Sequence, residues 1–161
     1  MLTWEKYDIN KHREVDLWNA ANEDIDKFAM FEEPLSITNE WYEHNKMGKI
    51  CDKILIAKDK DIIVGFVILN ISIINTNLCI GINPIVANPN YNGYGEKMLK
   101  ELIQNYNSIL NIEQKDVIFT AGISESNIKS KHLFLKLGFI QTGLHEDKTF
   151  GYYRLSCKKI K

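Results

Sequence analysis

The sequence lacks an excess of charge of either sign. Twenty basic residues against twenty-one acidic ones leave a formal charge of −1. A nucleic-acid binder draws most of its affinity from phosphate contacts and normally carries a basic stripe. The one basic cluster, Lys158, Lys159 and Lys161, reads as a solvated tail. Cysteine is scarce: Cys51, Cys79 and Cys157 are odd in number, widely spaced, and form neither a CxxC pair nor a zinc pattern with the four histidines. They read as free thiols in a reducing compartment. Long apolar runs are also missing. The longest, over residues 62–74, is interrupted by Asn70 and Ser72 and is too short to span a bilayer. The first residues have no apolar signal-peptide core. A cytoplasmic protein with no membrane and no nucleic-acid partner is therefore expected.

What is present is ordinary globular composition, 45% hydrophobic and 25% charged over 161 residues. A chain of this size can bury about two-thirds of its unfolded surface and needs no disulfide or structural metal. One domain over residues 1–161 is expected, with no repeat or linker. The pattern predicts a strand over 3–9, a helix over 12–22 with Asn10 as cap, and a second helix over 36–47. Dense β-branched residues across a short polar turn predict a hairpin over 53–58 and 62–74. A further strand covers 78–86, where Pro84 lacks an N–H and marks a bulge or the end of pairing. Then come a helix over 96–106, a strand over 116–123, a helix over 127–137 stopped by Gly138, and a closing strand pair over 139–144 and 149–156. Consecutive strands imply antiparallel pairing, and the later strand–helix–strand passes imply a parallel pair. The fold class is α/β, with a mixed, mostly antiparallel sheet and flanking helices.

Residues 83–99, NPIVANPNYNGYGEKML, form the most informative segment. An apolar strand leads through an Asn/Gly-rich loop into an amphipathic helix, with Gly93 and Gly95 at its start. A helix N-terminus offers unpaired N–H groups and the positive end of the macrodipole, which suits phosphate. Glycine allows close approach and positive φ. No P-loop lysine pattern accompanies it, and the preceding strand follows hairpins rather than opening a βαβ unit, which disfavours a nucleotide fold.

A second segment, residues 127–139, reads NxxSxxLFxKLGF. The pairing of a strand–GxG–helix segment with this later one resembles the GNAT superfamily of N-acetyltransferases, and the element order resembles that family over nearly the whole chain. The resemblance implies a central parallel strand pair that splays apart to admit acetyl-CoA as co-substrate. It places Ile85, Val86 and Ala87 against the pantetheine amides. The diphosphate loop would be Asn90, Tyr91, Asn92, Gly93, Tyr94, Gly95 and Glu96, with the N–H groups of residues 92–96 as donors. Asn127 and Ser130, three apart on one helical face, would meet the pantetheine arm or adenosine end, beside Phe134. The family's loop usually opens with Gln or Arg, and here it opens with Asn90, so affinity would rest on backbone donors. Many members carry a Tyr at the place of Phe134 that protonates the departing thiolate, and Phe cannot.

The chemistry implied is direct attack of a neutral amine on a thioester, which requires a base. Backbone N–H groups near Val86 and Ala87 would hold the thioester oxygen. The strand over 78–86 contains no acid, and Asn83 could at most orient water. Glu32 and Glu33 precede the second predicted helix, in the region that usually walls the acceptor site, and are the candidate bases. His132 is two residues from Ser130 and points elsewhere, His145 belongs to an acidic turn, and of Tyr152 and Tyr153 one must face the interior. The implied partner is a small-molecule or peptide amine, and a homodimer is common in look-alikes. The competing reading is a sensor or interaction module that binds acyl-CoA without turnover.

Overall fold

The structure is a computed structural model that describes residues 1–8, 10–12, 50–74, 77–113 and 116–158. The helices predicted over 12–22 and 36–47, and with them Trp18, Trp41, Glu32 and Glu33, lie outside the described residues. In chain order the elements are β1 (Thr3–Lys6), β2 (Ile50–Asp59), β3 (Ile62–Ile74), β4 (Asn77–Ala87), α1 (Tyr94–Ile109), β5 (Asp116–Ser124), α2 (Ile128–Lys136), β6 (Ile140–Leu144) and β7 (Phe150–Lys158). The seven strands form one sheet in the order β1-β2-β3-β4-β5-β7-β6. Among the described strands only β4 and β5 pair in parallel. The predicted closing pair is therefore reversed in space, with β7 lying between β5 and β6.

The first strand is shorter than predicted. After Lys6 the Tyr7 N–H still reaches the Ile54 carbonyl at 2.9 Å, and then Asp8 turns the chain. Its carbonyl accepts from the N–H groups of Lys11 and His12, and its carboxylate accepts from the Asn10 N–H at 2.9 Å. Asp8 thus organises this turn.

β3 is covered on both faces, which explains its unbroken apolar run. On one face Val67, Leu69, Ile71 and Ile73 join Leu78, Ile80 and Ile82 of β4 and the buried side of α1. On the other, Phe66 and Ile68 pack with Ile54, Ile56 and Tyr7. Helix α1 has Met98, Leu99, Leu102 and Tyr106 buried at helical spacing. Removing each of these side chains from water contributes about 1.5–3 kcal/mol. Tyr106 meets Phe119 of β5 edge to face at 5.7 Å, and burial pushes its hydroxyl up to about 12. Met98 fits because Gly65 lies opposite; a Cβ at that glycine would collide with the sulfur.

Helix α2 ends as its sequence predicts. Gly138 adopts φ +101, its N–H reaches the Leu135 carbonyl, and the Phe139 N–H reaches that of Phe134, both at 3.1 Å. These two bonds form a Schellman cap, which a residue with a Cβ would strain.

Candidate functional site

The parallel pair comes apart along its length. β4 and β5 are in register from Leu78↔Val117 to Ile82↔Ala121 and then separate. Beyond that point β4 continues on β3 through Ile85↔Val67, Val86↔Phe66 and Ala87↔Gly65, while β5 continues on β7 to Ser124↔Phe150. One extra residue enters β4 between its Leu69↔Ile82 and Val67↔Ile85 pairs. Pro84 falls within this bulge, as its missing N–H predicts. Peptide groups of residues 83–87 that point away from β3 are consequently not taken up by β5, which leaves a free strand edge.

Two openings meet at this slit. On the helix side, a cleft of about 130 Å³ is lined by Ile82 and Ile85, by β5 residues as far as Ser124, and by Asn127, Ser130 and Phe134 of the α2 region. On the opposite face lies a cavity of about 710 Å³ that shares Ile82, Ala121, Gly122 and Ser124 with the first. The three α2 candidates thus converge on the slit. Phe134 is 3% exposed and packs edge to face on Phe139 at 4.8 Å. Asn127 is the helix cap, and its side-chain oxygen accepts from the Ser130 N–H at 3.1 Å. Of the strand candidates, Ile85 packs toward α1 and Val86 toward the opposite cluster, and all three of Ile85, Val86 and Ala87 are half-buried.

The glycine loop follows directly. Gly93 caps α1 at φ 86, with no side chain capping the helix. The first intrahelical bond runs from the Lys97 N–H to the Gly93 carbonyl at 3.4 Å. The N–H groups of the first turn therefore have no acceptor within the helix. A Cβ built on Gly93 meets nothing within 4 Å, and one on Gly95 meets only the Ala87 Cβ at 3.9 Å. The space in front of the helix is open to an anion, and the donor set fits a diphosphate. Asn90 and Tyr91 differ from the rest of the loop in that their N–H groups are used internally, both by Asn88. Asn92 is exposed.

Two side chains in the first turn are engaged. The Tyr94 hydroxyl donates to Asp59 at 2.6 Å, which pins the helix start to the β2–β3 turn. The bond lowers the carboxyl of Asp59 and raises the phenol of Tyr94. Glu96 pairs with Lys136 at 2.7 Å, joining the first turn of α1 to the last of α2, and Lys136 holds its carboxyl below the usual range.

The residue that sequence reasoning missed is Asn88. It is 5% exposed, and every polar group it has is used. Its amide nitrogen donates to the Ile63 carbonyl and its amide oxygen accepts from the Asn90 N–H, each at 2.9 Å. Its backbone N–H reaches Val64 at 2.8 Å, and its carbonyl accepts from Tyr91 at 3.2 Å. The signal was an Asn followed by Pro directly after a strand, a combination that favours a side-chain-closed turn.

Of the remaining sequence candidates, neither His132 nor His145 lines the cleft or the cavity, whereas Tyr152 and Tyr153 both border the cavity. His132 is exposed. His145 stacks on Phe150 at 4.6 Å and pairs with Asp147 at 2.8 Å. Tyr153 is 1% exposed whereas Tyr152 is 43% exposed, so the interior position on β7 goes to Tyr153.

Residues 15–139 match the sequence model of the acetyltransferase (GNAT) family. The chain belongs to that family. GNAT structures also share its fold over almost their whole length. The ribosomal-protein-S18-alanine N-acetyltransferase of Escherichia coli is 13% identical, with a TM-score of 0.63 over 100% of this chain and 97% of its own. Spermidine N-acetyltransferase of Vibrio cholerae, solved with CoA and spermine, is 17% identical, with a TM-score of 0.60 over 97% of this chain and 95% of its own. The N-acetyltransferase PseH of Campylobacter jejuni is 18% identical, with a TM-score of 0.58 over 99% of each chain. No curated protein matches the sequence. Among the described residues of this GNAT protein, no helix is long and apolar enough to cross a membrane.

Proposed function

We propose that this GNAT protein, acting as one domain, transfers an acetyl group from acetyl-CoA to a primary amine by direct attack. The observation that carries the reading is the slit past Ile82↔Ala121, which joins a cleft beside α2 to a cavity on the other face of the sheet. The donor enters from the helix side and the amine from the other, so the reacting atoms meet between the strands.

The free edge of residues 83–87 pairs with the pantetheine amides as an added strand would. The first-turn N–H groups and those of Asn92 and Gly93 receive the diphosphate, with Ser130 and Phe134 against the pantetheine arm. When bound, acetyl-CoA supplies an activated thioester carbonyl, at which the N–C bond forms as the C–S bond breaks. N–H groups near Val86 and Ala87 hold the thioester oxygen. Glu32 or Glu33 takes the amine proton, directly or through water. Phe134 lines the cleft and has no proton to give, so the sulfur leaves as a thiolate and is protonated from solvent. Its ring contributes only packing and exclusion of water. The cytoplasm, where acetyl-CoA and reduced cysteines coexist, is the compartment that fits.

A second reading, acyl-CoA binding without turnover, is favoured by one observation. None of the described residues lining the cleft or the cavity is an acid. The two are separated by measuring CoA binding calorimetrically and CoA thiol release from acetyl-CoA in the presence of mixed amines. Binding accompanied by amine-dependent release is the expected result. Binding without release under any acceptor would select the non-catalytic reading, and absence of binding would refute both.

A further inference from the structure

The wall of the larger cavity indicates what kind of amine enters it. Side chains on β7 alternate: Tyr153 and Leu155 pack into the core on the helix side, so Phe150, Tyr152 and Arg154 stand on the other face, where they border the cavity together with part of Tyr153. The floor is kept low by glycine, with Gly81 on β4 and Gly122 on β5, and hydroxyls from Thr120, Ser124 and Thr142 border it. Arg154 is the one charged side chain among the described residues that line this cavity. It is exposed, and it has no carboxylate partner among the described residues. The paired acids are committed elsewhere: Glu5 to His12 and Lys58, Glu125 to Lys131, Glu96 to Lys136 and Asp147 to His145. In register, Arg154 stands opposite Thr120, one residue before Ala121, where the slit begins.

We propose that the acceptor amine belongs to a small molecule that also carries an anionic group, a carboxylate or a phosphate, and that Arg154 receives it. This rests on the transferase reading above, because it takes the cavity as the acceptor side. A guanidinium presents a planar fork of donors matched to the oxygens of either group. β7 is one strand removed from the β5 wall of the slit, about 4.8 Å at ordinary spacing. The amine at the slit and the anion at Arg154 therefore fit one short molecule. A polyamine would instead bring several cations to a wall whose described charge is positive.

The test titrates the full chain, saturated with CoA, with matched pairs. β-Alanine against β-alaninamide probes a carboxylate, phosphoethanolamine against ethanolamine probes a phosphate, and spermidine serves as the cationic comparison. A charge-assisted contact predicts a preference of roughly ten- to a hundredfold for the anionic member of at least one pair. Arg154→Gln should reduce it to threefold or less, and Arg154→Lys should restore part of it. Equal or absent binding in both pairs, tighter binding of spermidine, or a preference that survives Arg154→Gln would overturn the proposal. CoA thiol release is followed in parallel on acetyl-CoA. A preference that depends on Arg154 but comes with no release would uphold the anion site and count against the transferase reading.

Discussion

Asn88 is the residue whose removal should do most damage to the glycine loop, and the size of the effect can be worked from its contacts. Asn88→Ala deletes two hydrogen bonds of 2.9 Å, one to the Ile63 carbonyl and one from the Asn90 N–H. Each contributes about 0.5–1.5 kcal/mol net, and a buried group left without a partner costs about 1–3 kcal/mol. The Ile63 carbonyl is such a group, since Ile63 is 9% exposed. The Asn90 N–H belongs to an exposed residue and can turn to water, so its loss is the smaller one. The sum is roughly 2–4 kcal/mol of stability. For a chain of this length each kcal/mol moves the midpoint by about 2–4 °C, so a fall of roughly 5–15 °C is expected. Because the same bonds hold the start of the loop against β3, CoA affinity should fall further than stability alone explains. Urea unfolding and calorimetric titration with CoA measure the two effects separately. A stability change under about 0.5 kcal/mol would show that the bonds are not made in solution. Normal CoA affinity in a destabilised variant would show that this loop does not hold the diphosphate.

Gly93→Glu and Gly95→Glu should each abolish CoA binding while leaving the fold intact. Both sites have room for a Cβ, and the new carboxylate would stand where the diphosphate belongs; thermal unfolding and CoA titration decide it, and unchanged affinity in both would refute the loop assignment. At Gly93 the positive φ adds about 1–2 kcal/mol of strain, so that variant should be the less stable of the two. Phe134→Tyr should fold with a cost under about 1.5 kcal/mol and raise the rate of acetyl transfer, because the ring borders the cleft. A loss of several kcal/mol would mean that the ring edge points into packing rather than toward the sulfur. The buried Tyr153 hydroxyl has no hydrogen-bond partner among the described residues. Tyr153→Phe should therefore hold or raise stability by up to about 1–3 kcal/mol, measured by urea unfolding. A clear loss would reveal a partner for the hydroxyl.

Local rules carried far along the described chain. The β2–β3 hairpin, the bulge at Pro84 and the glycine stop after α2 follow from turn chemistry and missing donors, which act within a few residues. The two signature segments were legible as motifs, since glycines at a helix start and an Asn three residues before a Ser are local facts, but that Asn127 caps the helix rather than standing within it came from the structure. What the chain did not disclose by itself was which distant groups share a space. Asn88 looked like one more loop residue until the fold set it against Ile63, 25 positions away. Asp59 and Tyr94 lie 35 apart, yet together they anchor the helix that faces the slit. The exchange of β6 and β7, and with it the arrival of Arg154 beside Thr120, depends on pairing between distant strands, with Thr120 and Arg154 themselves 34 positions apart. Sequence periodicity assigns a side chain to a face, but only the packed sheet decides what stands across from it. That is why the glycine loop and the segment after β5 were legible as local structure from their residues, while the set of side chains that borders the cavity on the other face emerged only from the tertiary structure.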